Sequence, residues 1–256
     1  MSRLIDNYQS LCTLFYDLDK PFPPAEEYAF YYSYLRKYKT HILEPFCGSG
    51  RFLVPFLKEG FLIHAFDASP SMLLSLEKRL KEAGLGCQYE FALFENYIFR
   101  QRYNLIYIPS ASLSLLWKRE VFLNAVSKIY DQLHRGGAFV FEVETPSILE
   151  KDRSDFALIA NHFIPIDAQQ KIVGSFINNT YQDGVLSISC RYDLIIDDII
   201  RKTEFENIVV RLFMYEEIVF ILERVGFLVT VYSDFKKTVY RSSIELPKLL
   251  IIEAIK

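Results

Sequence analysis

The stretch Ile42-Leu43-Glu44-Pro45-Phe46-Cys47-Gly48-Ser49-Gly50-Arg51-Phe52 decides how the rest of the chain is read. An apolar strand runs out to an acid at Glu44, a turn carrying Gly48 and Gly50 follows, and a helix begins beyond it. Glycines at those places leave bare backbone against which a ligand can lie, and a helix start offers N–H groups with no partner inside the helix.

The elements on either side agree with that reading. After the strand Phe61-Leu62-Ile63-His64-Ala65-Phe66 comes Asp67, and a helix is expected from Pro70 to Ala83. Ser69 caps it, Pro70 suits its first turn, Met72, Leu73, Leu76 and Leu80 share one face, and Gly84 stops it. Strands at 87–92, 104–108 and 138–144, with a helix over 118–133, continue the alternation. Strands that are apolar along nearly their whole length imply a parallel sheet covered on both sides.

Between 160 and 213 the period changes to two. Leu186, Ile188, Cys190, Tyr192 and Leu194 alternate with Ser187, Ser189, Arg191 and Asp193, Asp183-Gly184 is a hairpin turn, and a third strand runs from 202 to 213. This is an antiparallel β meander inserted late in an α/β domain. The core resumes with a helix over 216–225 closed by Gly226, then strands at 227–235 and 249–255. Residues 1–40, with a Pro turn (Pro21, Pro23, Pro24) and a tyrosine-dense segment from Tyr28 to Tyr38, form an N-terminal helical cap. The expectation is a single domain over 1–256: cap 1–40, core 41–159 and 214–256, insertion or lid 160–213.

Composition narrows the function classes. A net charge of -3 lacks the basic excess usual in proteins that grip a nucleic-acid backbone. Four scattered cysteines without a CxxC pair argue against a disulfide framework, and four isolated histidines form no metal-ligand set, so no metal is expected. The N-terminus has no apolar leader and no run reaches membrane-spanning length, so a cytoplasmic location and no membrane partner are expected.

Asp67 can accept both hydroxyls of a ribose, because the two strand ends lie side by side in such a sheet. A nicotinamide dinucleotide would also want Gly or Ala three residues after the second glycine, where Leu53 stands. Glu44 would repel a pyrophosphate and suits a cationic ligand.

Glu44-x-x-x-Gly48-x-Gly50 resembles motif I of the class I S-adenosylmethionine-dependent methyltransferases. Phe66-Asp67-Ala68-Ser69-Pro70-Ser71-Met72 is similar to that family's second-strand region, Tyr103-Asn104-Leu105-Ile106-Tyr107 to its fourth strand, and Leu133-His134-Arg135-Gly136-Gly137-Ala138 to the turn before the fifth. Leu14-Phe15-Tyr16-Asp17-Leu18-Asp19-Lys20, Arg211-Leu212-Phe213, Glu217 and Gly226-Phe227 resemble small-molecule members with a β insertion, so the similarity spans nearly the whole chain in order. The resemblance implies a Rossmann-like, mostly parallel seven-stranded sheet and methyl transfer from S-adenosylmethionine, leaving S-adenosylhomocysteine, to a nitrogen, oxygen or carboxylate of a small molecule. It places the cofactor among Tyr16, Glu44, Phe46, Cys47, Gly48, Ser49, Gly50, Asp67, Ala68, Met72, Ala92, Leu93, Phe94, Pro109 and Ser110. The family's acid after the third strand is replaced by Ala92 or Leu93, with Glu95 displaced, which leaves adenine to backbone groups and the Phe94 ring.

For acid–base chemistry the candidates are His162, Glu144 and Tyr16. Tyr16 and Asp17 either pack the N-terminal helix or close over the cofactor. Two other readings stand beside this one. Glu44-Pro45-Phe46-Cys47-Gly48-Ser49-Gly50 has some likeness to base-modifying nucleic-acid methylases, although Ile108-Pro109-Ser110-Ala111 replaces their base-gripping tetrad. The other is a non-catalytic binding module of the same fold.

Overall fold

The computed structural model describes residues 7–149, 160–242 and 245–256. In chain order the helices are α1 (Ser10–Asp19), α2 (Ala25–Tyr38), α3 (Leu53–Lys58), α4 (Pro70–Ala83), α5 (Arg119–Gln132) and α6 (Tyr215–Val225). The strands are β1 (Ile42–Pro45), β2 (Ile63–Asp67), β3 (Gln88–Phe91), β4 (Tyr103–Ile108), β5 (Leu133–Glu144), β6 (Ala160–Pro165), β7 (Gln170–Gln182), β8 (Val185–Ile196), β9 (Ile199–Arg211), β10 (Leu228–Tyr232) and β11 (Leu249–Ile255).

Seven strands make one sheet in the order β10-β11-β5-β4-β1-β2-β3. Its pairs are parallel from β5 through β3, while β11 runs antiparallel to both neighbours. The seven-stranded, mostly parallel α/β expectation holds. Because β1, β4 and most of β5 are buried on both faces, every position selects for apolar side chains. Helices α2, α3 and α4 cover one face through Phe30, Phe56 and Leu76, and α5 and α6 cover the other through Phe122, Ile129 and Ile221. Ser69 does cap α4, accepting from the Met72 N–H at 3.1 Å, and Gly84 and Gly226 end α4 and α6 in left-handed conformations.

Boundaries shift where tertiary contacts intervene. The fifth strand begins at Leu133 rather than at 138, because the Gly136-Gly137 turn is drawn into pairing, with Leu133 opposite Tyr103. The insertion has four antiparallel strands, in the order β6-β7-β8-β9, where three were expected. The added strand, Ala160–Pro165, lies at the edge and carries the polar Asn161 and His162, so its sequence lacks the alternation that marks β8. The expected core–insertion boundary at 159 lies outside the described residues.

The insertion binds back onto the core through α1. Leu11, Cys12 and Phe15 pack on Ile172, Cys190 and Tyr192, the apolar face that the period-two alternation marks out. Phe15 rests on Gly174, where any Cβ would come within 2.7 Å of its ring. The start of α1 has no side-chain cap of its own. Instead Glu206 of β9 accepts from the N–H groups of Tyr8 (2.9 Å) and Gln9 (2.7 Å), and Glu204 accepts from Leu11 N–H (2.6 Å). Carboxylates there satisfy the orphan donors and complement the helix dipole.

Candidate functional site

In the parallel register Pro45 is level with Phe66, and the Cys47 N–H donates to the Phe66 carbonyl at 3.2 Å. The exits of β1 and β2 are thereby fixed side by side. The Gly48 N–H donates to one oxygen of Asp67 and the Ser69 N–H to the other, both at 2.8 Å. Gly48 needs its glycine for φ +53°, and the nearest atom a Cβ would meet is Met72 Sδ at 3.8 Å.

Above these exits lies an open cavity of about 670 Å³, bounded by α1 and by one face of the insertion sheet. That is ample for a nucleoside-sized ligand with space remaining. Of the residues expected at a cofactor site, Tyr16, Glu44, Phe46, Cys47, Gly48, Ser49, Asp67, Ala68, Met72, Leu93, Phe94, Pro109 and Ser110 line it. Phe46 and Phe94 stack with centroids 5.7 Å apart and planes nearly parallel.

Three expected residues do not line the cavity. Gly50 packs under α4: a Cβ there would sit 2.5 Å from Leu76 and 2.9 Å from Val54, so its role is close helix packing. Ala92 is spent on the chain's exit from β3, its N–H bonded to the Asp67 carbonyl at 2.9 Å. Glu144 lies too far along β5. The β4–β5 pairing ends at Ile108 and Phe141, so the strand position that meets the end of β4 is Glu142, and the Glu144 carbonyl is occupied by the Phe213 N–H at 2.9 Å.

Several wall residues escaped the sequence reading. Glu95 reaches the cavity despite its displacement, and Arg51, Trp117, Phe176 and Tyr192 line it as well. Tyr192 was legible in part, since it falls on the buried side of the β8 alternation. Arg51 donates to the Phe22 carbonyl at 3.0 Å and its guanidinium stands beside the Tyr16 and Ser110 hydroxyls. Asp17 accepts from Ser49 in the glycine turn and from Ser75 of α4, each at 2.5 Å, pinning α1 over the cradle.

The floor is acidic and held by neutral donors. Glu44 is buried, takes a hydrogen bond from the Tyr107 hydroxyl, and is pushed up to about 8 by burial. Burial also raises Asp67, against the lowering effect of its backbone N–H partners. None of the salt bridges among the described residues involves either acid. A ligand bearing positive charge would relieve both. At the opposite wall His162 stands with Nε2 3.8 Å from the Asp19 carboxylate and its ring edge-on to Phe15 at 5.6 Å. Burial raises the Tyr16 phenol, with Arg51 acting the other way. Among the described residues no group of three or more His, Cys, Asp or Glu side chains could hold a metal ion, and no helix is long and apolar enough to cross a membrane.

Residues 42–137 match the family model described as a methyltransferase domain. No curated protein matches the chain in sequence. In fold it is similar to an S-adenosylmethionine-dependent methyltransferase from Clostridium acetobutylicum, with a TM-score of 0.74 at 15% identity, covering 94% of this chain and 96% of that one. It is also similar to the sugar N-methyltransferase KedS8 from a Streptoalloteichus species (TM-score 0.73, 16% identity, 95% and 91% covered). A third is the amino pentose methyltransferase CalS10 from Micromonospora echinaspora (TM-score 0.66, 15% identity, 90% and 91% covered). The core built around the glycine turn is similar to a methyltransferase domain, and the sheet with its late insertion shares the fold of these solved structures.

Proposed function

We propose that this chain, whose residues 42–137 match the methyltransferase domain model, moves a methyl group from S-adenosylmethionine to a small-molecule acceptor. The observation that carries the reading is the joined exit of β1 and β2: a bare-backbone turn at Gly48 hydrogen-bonded to Asp67, beside the acid Glu44, at the base of the cavity. In this reading Asp67 holds a ribose diol, and the Phe46–Phe94 ring pair with Glu95 and Leu93 holds an adenine. Glu44, raised to about 8 by burial, ionises when a cation comes to rest beside it. The cofactor, when bound, supplies a methyl already activated on a sulfonium.

What remains for the chain is alignment and exclusion of water, which in well-oriented reactions is worth roughly 7–11 kcal/mol. Helix α1, clamped by Asp17 below and by Glu204 and Glu206 above, roofs the site, and the aromatic walls Phe15, Tyr16, Phe176, Tyr192 and Trp117 orient the acceptor. His162, 3.8 Å from Asp19 on the cavity wall, is our candidate to take a proton from an amine or hydroxyl. Amino sugars are the first acceptors to assay, since proteins of similar fold act on them; hydroxyl and carboxylate acceptors follow.

The test is calorimetric titration of the purified protein with S-adenosylmethionine and S-adenosylhomocysteine, repeated on Asp67→Asn. Binding of both, weakened about tenfold or more by loss of the charged acceptor, is expected. A wild-type protein that takes up neither compound overturns the reading.

A further inference from the structure

Strand β5 is apolar from Ala138 to Val143 except for Glu142, which is 2% exposed and makes no salt bridge among the described residues. Burying a carboxylate in an apolar strand is costly unless something is gained from its lone pairs. Its Oε1 accepts from the Ser110 backbone N–H at 2.6 Å and from the Tyr31 hydroxyl at 3.0 Å, and that hydroxyl also faces the Ile108 carbonyl at 3.4 Å. One acid thus ties together α2, the end of β4 and the turn that follows it.

That turn is unusual. Ser110 and Ala111 are consecutive non-glycine residues in the left-handed region, at φ 60° and 51°. L residues rarely adopt this conformation singly, and a pair needs outside support. The same turn supplies the cavity wall through Pro109, Ser110 and Ser112, and the Ser110 hydroxyl is 3.5 Å from Arg51.

We propose that Glu142 is a positioning residue for methyl transfer: by accepting the Ser110 N–H it holds the left-handed turn after β4, and so sets the wall against which cofactor and acceptor meet. The proposal rests on the methyl-transfer reading. Glu142 lies behind the turn and is not among the residues lining the cavity, so its influence on binding passes through Ser110.

The test compares Glu142→Gln, Glu142→Leu and the gentler Glu142→Asp, with S-adenosylhomocysteine affinity and the emission of Trp117, the chain's single tryptophan, as readouts. Trp117 lines the same cavity just beyond the turn, so its emission reports the wall directly. Glu142→Gln keeps an acceptor oxygen and stays close to wild type. Glu142→Leu strands a donor, weakens the affinity about tenfold and shifts the emission. Glu142→Asp, with the acceptor drawn back, falls between them and serves alone where the leucine variant does not fold. Replacing both Ser110 and Ala111 by glycine, which adopts the left-handed turn freely, recovers part of the loss in either background. Variants without acceptor or reach that fold, bind and emit as wild type does overturn the proposal, as does a glycine pair that recovers nothing. Failure of the wild-type protein to bind the probe would sink the methyl-transfer reading instead.

Discussion

Gly48 and Gly50 stand two residues apart in one turn, yet replacing each by alanine should break different things. Gly50 has φ +83°, and an added Cβ would lie 2.5 Å from Leu76 Cδ1 and 2.9 Å from Val54 Cγ2, both buried. The left-handed backbone costs about 1 kcal/mol for alanine and the overpacking about 1–3 more, together about 2–4 kcal/mol. For a chain of this size that lowers Tm by roughly 5–15 °C. Gly48, at φ +53°, carries a comparable backbone cost, but its Cβ would meet only Met72 Sδ at 3.8 Å. Gly48→Ala should therefore lose about 1 kcal/mol of stability. Its methyl instead occupies the cradle, and S-adenosylhomocysteine affinity should fall by a factor of about ten or more, in the range expected for an overfilled, well-packed site. Urea unfolding and calorimetry on both variants separate the two effects. The reasoning is refuted if Gly48→Ala unfolds more easily than Gly50→Ala, or if it binds the probe as wild type does.

Three further outcomes are expected. Glu206→Leu strips the acceptor from the Tyr8 and Gln9 N–H groups, loosening α1 by about 1–3 kcal/mol while the core is untouched; amide exchange should quicken at residues 8–12 alone, and a uniform rise across the sheet would contradict it. His162→Ala should lower methyl transfer to an amine acceptor by about 100-fold or more with cofactor affinity unchanged, because His162 sits on the insertion wall rather than the glycine turn; equal turnover would remove it from the chemistry. Glu44 and Glu142 are both raised by burial from an ordinary 4.5 to about 8, so the folded state holds their protons more tightly than the unfolded chain does. Their contribution to stability is complete below 4.5 and is lost as pH rises through 8. Denaturation midpoints of the ligand-free protein should fall between pH 5.5 and 8.5, with a smaller fall in Glu142→Gln; an unchanged slope in that variant would show that Glu142 does not titrate there.

What could be read from the sequence was local. The glycine turn, the Ser69 cap and the Gly84 and Gly226 stops are each set by neighbours a few residues away, and all of them stand in the folded chain. The clamp on α1 could not be read, because its helix start has no cap nearby and the acids that serve it, Glu204 and Glu206, lie more than 190 residues further along the chain. Choosing between Glu142 and Glu144 was equally out of reach. Two acids two residues apart share one side of a strand, and only the register with β4, closing at Ile108 opposite Phe141, decides which one meets the turn.

The acids at the strand exits share a device. Glu44 is held by a tyrosine hydroxyl, Asp67 by two backbone N–H groups, and Glu142 by one of each. Neutral donors fix the geometry of a carboxyl group without supplying the opposite charge that would hold it ionised, whereas a lysine or arginine in the same place would do both. The cost of burial then stays partly uncompensated, as the raised values of all three acids show. For Glu44 and Asp67, which face the cavity, that unrelieved cost favours a cationic ligand over a neutral one of the same shape. Among the described residues neither Glu44 nor Asp67 is paired with a cation, and a positive charge arriving beside them would lower both and draw Glu44 into its ionised form.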